Sequence, residues 1–265
     1  MTEASSRAAA QAVSAVDALR ALHRRRSPGD PLVLPGPWDA ATARVCVEAG
    51  FPALATPSAA VAASLGYEDG QTPADEMFAA VARIVRAVDV PVSADIEGGY
   101  GIAPKELVER LLETGAVGCN LEDSEGGALK DPRRHADWLA EVRHAAADQL
   151  FVNARIDTFI RADGGAGPQQ NAPQTATHAA EQAIERAALY VAAGADCVYP
   201  IGAPNDVLPL LRSGIQGPIN VHGTVTGDGP SPTALGELGA IRITFGPGLQ
   251  RRAAEALREI AAGLT

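Results

Sequence analysis

The feature that most constrains this chain is a rhythm: eight times, a short apolar run ends in polar or Gly/Pro residues and gives way to a helical stretch. Runs at 31–35 (PLVLP), 53–57 (ALATP), 91–96 (PVSADI), 117–123 (VGCNLED), 151–157 (FVNARID), 195–200 (ADCVYP), 218–222 (PINVH) and 241–246 (IRITFG) predict strands. Helical spacing predicts helices near 39–49, 73–88, 104–114, 132–147, 178–193, 204–212, 232–238 and 248–262. A further helix over 4–26 precedes the first strand, with Val13, Val16, Leu19 and Leu22 on one face, and Ser-Pro-Gly-Asp at 27–30 stops it. Eight strand–helix units in 265 residues predict an α/β fold, a (β/α)8 TIM barrel with an N-terminal helix, as one domain over 1–265. A doubly wound open sheet is the alternative. It carries a Gly-rich phosphate turn after its first strand, and Pro35-Gly36-Pro37-Trp38-Asp39 is no such turn.

Composition narrows the partners. The formal net charge of −10 leaves no basic excess to neutralise phosphates, which argues against nucleic acid and anionic membranes. No run of 18 apolar residues exists, and the N-terminus lacks the pattern of a signal peptide. Cys46, Cys119 and Cys197 are isolated, so they read as small core side chains in a reducing compartment. The expectation is a cytoplasmic protein. The loop at 124–131 and the Gly/Pro/Gln-rich stretch at 158–177 are long enough to act as lids over a barrel mouth; for the second, a surface insertion is an equal reading.

The chemistry collects at strand ends. Side chains alternate along a strand, so Asp95 and Glu97 share a face, as do Asn120 and Glu122, and Asn153, Arg155 and Asp157. Three consecutive strands thus deliver acids, acids and an arginine to one rim. Like charges so placed repel unless a cation sits among them, and Mg²⁺ prefers carboxylates and water. An arginine grips a carboxylate in bidentate fashion. Ordinary rim ion pairs are the competing reading for any one of these residues. His222 ends the seventh predicted strand and is a candidate acid or base; a histidine bonded within its turn is the alternative. His23, His135, His144 and His178 fall on helices or helix starts and read as surface residues.

Five segments together resemble the isocitrate lyase/phosphoenolpyruvate mutase superfamily: LPGPWDAATARVCVEAGFPALATPSAAVAASLGYEDG (34–70), SADIEGGYG (93–101), NLEDS (120–124), NARID (153–157) and ITFGPGLQRRA (243–253). The resemblance implies a Mg²⁺ barrel (Mn²⁺ being an alternative ion) that works through an enolate-type or pyruvyl oxyanion. By position, Asp95 resembles the direct metal ligand, and Glu97, Glu122 and Asp69 resemble carboxylates that hold metal waters. Ser58 and Ala59 resemble the pair whose hydroxyl and backbone N–H groups cradle the oxo-acid. Arg155 resembles the substrate-carboxylate arginine; Asn220, beside His222 on the seventh predicted strand, is with Asp95 a further substrate-binding candidate. The resemblance also implies a homodimer or homotetramer that exchanges its C-terminal helices, where Leu249, Ala253, Leu257 and Ile260 form an amphipathic stripe.

Departures from the family pattern divide the functional readings. Isocitrate and methylisocitrate lyases carry a Cys and a His just after the Glu-Asp of strand four; this loop reads Ser124 to Asp131 with neither. The phosphomutase and hydrolase branch has a lysine where Ser124 stands; Lys130 is the nearest lysine and reads as a solvated loop residue. Glu97 replaces an Asp, and Ala59 a Gly. Three functions follow: carbon–carbon cleavage or formation beside a 2-oxo- or 2-hydroxycarboxylate, with Arg155, Glu122 and His222 as catalytic residues; carbon–phosphorus chemistry; or a retired barrel that binds metabolites or supports an assembly.

Overall fold

The computed structural model describes residues 15–24, 26–161 and 173–264. Helix α1 covers residues 15–24, within the longer helix expected over 4–26, whose remaining positions lie outside the described residues. Eight parallel strands follow, each feeding a helix: β1 (Leu32–Val33), α2 (Ala40–Glu48), β2 (Leu54–Thr56), α3 (Ser58–Leu65), α4 (Ala74–Arg86), β3 (Val92–Asp95), α5 (Pro104–Glu113) and β4 (Gly118–Glu122). A short antiparallel hairpin, β5 (Ser124–Glu125) and β6 (Ala128–Leu129), precedes α6 (Pro132–Ala146). The chain continues with β7 (Phe151–Ile156), α7 (Pro173–Ala192), β8 (Cys197–Pro200), α8 (Leu208–Gly214), β9 (Asn220–His222), α9 (Pro232–Glu237), β10 (Arg242–Thr244) and α10 (Gly248–Ala262).

The strands close a ring. One sheet runs β2-β3-β4-β7-β8 and the other β1-β10-β9. The Val198 N–H donates to the Pro218 carbonyl at 3.1 Å and joins β8 to β9; the Ala55 N–H donates to the Pro35 carbonyl at 3.1 Å and joins β2 to β1. This is the expected (β/α)8 barrel. No helix among the described residues is long and apolar enough to cross a membrane.

Burial explains the layering. Outward positions Leu54, Val92, Ala94, Cys119, Leu121, Val152, Ala154, Val198 and Ile243 meet the apolar faces of the helices. Inside, Val16 and Leu19 of α1 pack on Leu32, Leu34, Ala53, Phe151 and Cys197, so the first helix plugs the end where the strands begin. His23 stacks on Phe151 with ring centroids 4.2 Å apart and donates from Nδ1 to the Leu19 carbonyl. It is buried, against the surface reading of the sequence. His135 is buried too, between Trp138 and Tyr190. Both lie on the inner stripe of helices whose other faces are polar, and the single imidazole did not register as part of that stripe.

Three elements differ from the periodic reading. Helix α3 starts directly after β2; its sequence SAAVAASL lacks a polar stripe because Ser58, Ala60, Val61 and Ala62 are all buried. Helix α7 begins five residues earlier than expected, and residues 162–172 of the expected lid lie outside the described residues. The 204–212 helix divides into a 3₁₀ turn at Asn205–Val207 and α8.

Candidate active site

Parallel register decides which side chains meet at the barrel's C-terminal mouth. Glu122 on β4 pairs with Arg155 on β7, and both point inward. The guanidinium therefore reaches the carboxylate, with Nη1 2.8 Å from Glu122 Oε2. Its other edge forks onto Asp157, Nε to Oδ1 at 2.7 Å and Nη2 to Oδ2 at 3.1 Å. Asp157 has no solvent exposure. Arg155 is thus held between two acids, and an incoming carboxylate would meet it beside Glu122.

Asp95, at the end of β3, is tied to the start of α3. Both the backbone N–H and the hydroxyl of Ser58 donate to Asp95 Oδ2, at 3.2 and 2.9 Å. Ala59 follows in the first turn of α3, where a backbone N–H has no intrahelical acceptor. Beyond Asp95 the chain leaves ordinary backbone space. Glu97 (φ 53°), Gly99 (φ 83°), Tyr100 (φ 57°) and Gly101 (φ 68°) all adopt left-handed conformations. For a non-glycine residue this costs about 1–3 kcal/mol and persists only where the surroundings fix it. Here it leaves Glu97 close enough to Asp95 for the two charges to act on one another.

The electrostatics follow from that crowding. Burial, then the charges of Asp95 and Asp69, push the Glu97 pKa up to about 7, against Tyr100 and Arg155. Burial also raises Glu122 to about 7; Arg155 opposes the shift, and Asp157, Asp95 and Glu97 add to it. Glu97 Oε1 is buried and makes no hydrogen bond of good geometry, though the equally unpartnered Tyr100 hydroxyl lies close enough to lower the Glu97 pKa. Asp69 is exposed, in the connection between α3 and α4, and bears on Glu97 only through its charge. Among the described residues no three His, Cys, Asp or Glu side chains stand close enough together to hold a metal ion. Asp95 is occupied by Ser58, and Glu122 by Arg155. The donor set, an orphan carboxylate oxygen among like charges, fits a hydrated divalent cation better than a dry cage of side chains.

The remaining expected residues separate. Asn220 is fully buried in the barrel, and its amide exchanges hydrogen bonds with the Thr244 hydroxyl at 3.2 and 3.3 Å. It sits a layer below the mouth, beside the equally buried Arg242, whose Nε and Nη1 have no partner. His222 reaches the rim with an exposed ring, and Nδ1 lies 3.2 Å from the Tyr199 hydroxyl. Partial burial at the rim, then the Arg251 charge, lowers its pKa.

Behind the mouth lies a network that the sequence reading did not assemble. Ser124 is buried and donates to Asp157 Oδ2 at 2.5 Å, so its hydroxyl faces a support rather than the opening. Asp123 accepts from the Asp157 N–H, from Arg186 at 2.9 Å and from the Tyr190 hydroxyl at 2.8 Å. Arg186 and Tyr190 are one helical turn apart on α7, and that i, i+4 spacing of a cation and a phenol was the available signal.

A (β/α)8 barrel with carboxylates and an arginine at the C-terminal strand ends has its polar site where such barrels carry catalysis. The family model for phosphoenolpyruvate phosphomutase matches residues 19–265, and the chain belongs to this family within the isocitrate lyase/PEP mutase superfamily. The Mycobacterium tuberculosis protein Rv1998c, whose function is uncharacterised, is 33% identical over 225 residues, covering 84% of this chain and 81% of its own. The 2-methylisocitrate lyase of Aeropyrum pernix is 33% identical over 194 residues, covering 69% of this chain and 56% of the lyase. Among solved structures, a candidate phosphonomutase from Burkholderia cenocepacia J2315 superposes with a TM-score of 0.84 at 33% identity, covering 96% of this chain and all of that one, 100%. The named superfamily members are lyases and mutases, that is, enzymes.

Proposed function

We propose that this chain is a Mg²⁺-dependent lyase, also served by Mn²⁺, that cleaves or forms a carbon–carbon bond beside the carboxylate of a small 2-oxo or 2-hydroxy acid through an enolate-type intermediate. The observation that carries this reading is the buried Glu97 carboxylate, with one oxygen lacking a well-formed hydrogen bond, crowded by the charges of Asp95 and Asp69 at the rim that also carries Arg155. Asp95 would hold the cation directly, and Glu97, Glu122 and Asp69 through its waters. When bound there, a divalent cation neutralises negative charge that develops on a substrate oxygen. The Ser58 hydroxyl, which donates to Asp95 in this structure, and the Ala59 N–H would serve as donors to the same developing charge. Arg155 anchors the substrate carboxylate, exchanging part of its contact with Glu122. His222, with Nδ1 engaged by Tyr199, offers Nε2 to give or take a proton.

Carbon–phosphorus chemistry is the second reading, favoured by the phosphomutase family model that spans nearly the whole chain. Against it, Ser124 occupies the lysine position and is turned onto Asp157. Oligomerisation is part of the same proposal: α10 has no buried residue, and Leu257 and Ile260 are 65% and 63% exposed, a stripe suited to a second copy.

The test is substrate-level. With Mg²⁺ present, oxaloacetate, methylisocitrate and phosphonopyruvate are supplied separately, and pyruvate and phosphate are followed. Turnover of a carbon–carbon substrate, abolished by EDTA and by Asp95→Ala with the fold retained, is the expected result. Phosphate release alone establishes the second reading. No turnover, with calorimetry showing no Mg²⁺ uptake even beside oxalate, leaves a retired barrel.

A further inference from the structure

Outside the barrel mouth lies a cleft of about 590 Å³ between the β5–β6 hairpin and the facing starts of α5 and α6. Ile102, Pro104, Leu129 and Trp138 build its apolar part, and charged side chains line the rest. Its charges are asymmetric in their partners. Asp131 is spent as the N-cap of α6, accepting the Arg134 N–H at 2.9 Å, and Glu125 is exposed at the hairpin edge. Lys130 is half-buried and has no carboxylate partner among the described residues. Its ammonium is 3.5 Å from the Glu122 carbonyl oxygen and 5.9 Å from the centre of the Trp138 ring. Arg134 lines the same cleft. His135, 3% exposed, also lines it, with Nε2 buried and unpartnered. The α5 N-terminus opens onto it with no side-chain cap at Ala103.

Gly98 lines the cleft and lies beside Glu122 of the barrel mouth. A methyl group placed there would stand 3.0 Å from Lys130 Nζ on one side and 3.8 Å from Glu122 Cγ on the other. Only glycine leaves room for the ammonium this close to Glu122, so Lys130 borders both the cleft and the mouth. A ligand anchored beside Glu122 is therefore within reach of an ammonium that no carboxylate among the described residues neutralises, and the apolar wall of the cleft continues beyond it.

We propose that this cleft is a second arm of the substrate site. It takes an anionic group carried at the far end of an apolar chain, and Lys130 is the residue that binds that group. The substrate class is then an extended organic acid with two separated anionic ends. The inference rests on the reading of the barrel mouth given under Proposed function.

Calorimetry with Mg²⁺ separates the two. Oxalate probes the mouth alone, and 2-oxoadipate probes the mouth plus the arm. Wild-type protein is expected to bind 2-oxoadipate more tightly than oxalate, and Lys130→Met should lower the ratio of the two affinities about tenfold or more, as loss of a charge-assisted hydrogen bond does. Lys130→Arg should restore most of that ratio, and Gly98→Ala, whose methyl displaces the ammonium, should lower it. A second measurement needs no variant. The chain has only two lysines, Lys105 and Lys130. Lys105 is 83% exposed and serves as an internal control. Under an amine-acylating reagent, 2-oxoadipate should protect Lys130 but not Lys105, and oxalate should protect neither, as read by mass spectrometry. An affinity ratio unmoved by Lys130→Met in folded protein, or equal acylation of Lys130 with and without 2-oxoadipate, overturns the arm while leaving the mouth intact. Failure of oxalate itself to bind overturns the mouth, and the arm with it.

Discussion

Asp157 shows how far a residue can matter without facing the opening. It is fully buried, and its two oxygens orient Arg155 while accepting from Ser124. Removing one member of a buried ion pair costs about 3–5 kcal/mol, because the other charge is left uncompensated. Asp157→Asn keeps the shape and loses the charge. It should lower stability by a few kcal/mol on that scale, and lower kcat/KM for an acid substrate about tenfold or more through a misplaced guanidinium. Denaturant titration and steady-state kinetics read the two effects, and normal kinetics in the variant would show that Arg155 needs no such support. At this scale the sequence was informative wherever strand alternation set the facing, as for Asp95, Glu122 and Arg155. It was silent where a partner came from a distant helix. Arg186 lies 63 positions from Asp123 and contacts it directly, and no local pattern announces such a contact.

The turn from Glu97 to Gly101 is the element where stability and function oppose one another. Glycine adopts a positive φ freely, and glutamate does not. Glu97→Gly removes both the backbone strain and a buried carboxylate repelled by Asp95 and Asp69. The variant should be more stable by about 1 kcal/mol or more, and should bind Mg²⁺ more weakly in calorimetry. A less stable variant would mean that Glu97 contributes packing that outweighs its strain. The hairpin offers a contrast in legibility. Gly126 (φ 57°) and Gly127 (φ 86°) form the two-residue turn that such a Gly-Gly pair favours. The sequence around it lacks alternating apolar residues, so its strands are visible only once the loop is seen folded. Helix α3 was hidden for the opposite reason: it is buried on too many sides to show a stripe.

Across the whole molecule, neutral histidines set an acid limit. Burial, then the Arg242 charge, holds His23 down to about 3; burial, then Lys130, does the same for His135. In the unfolded chain each takes a proton near pH 6.5. The folded pKa lies below the unfolded one, so the unfolded state binds more protons. Stability is therefore complete above about pH 6.5 and falls as the pH drops towards about 3. At pH 5 the loss from each is about 2 kcal/mol. His23→Phe keeps a ring against Phe151 and should reduce the stability difference between pH 7.5 and pH 5 by that amount in urea titrations. An undiminished difference would place the acid sensitivity elsewhere. The barrel itself was legible from eight repeats of one rhythm, because that rhythm is local. The burial of His23 inside the plug was not, because it depends on where α1 docks.

The bare flank of α10 carries one more implication. A helix with no buried residue, as α10 is over Gly248–Ala262, gains little from its own barrel. If a second copy covers Leu257 and Ile260, folding and association become one equilibrium, and the melting temperature climbs as the protein is concentrated. Dilution then acts as a denaturant, and an assay run at nanomolar enzyme samples a different population from a calorimeter cell.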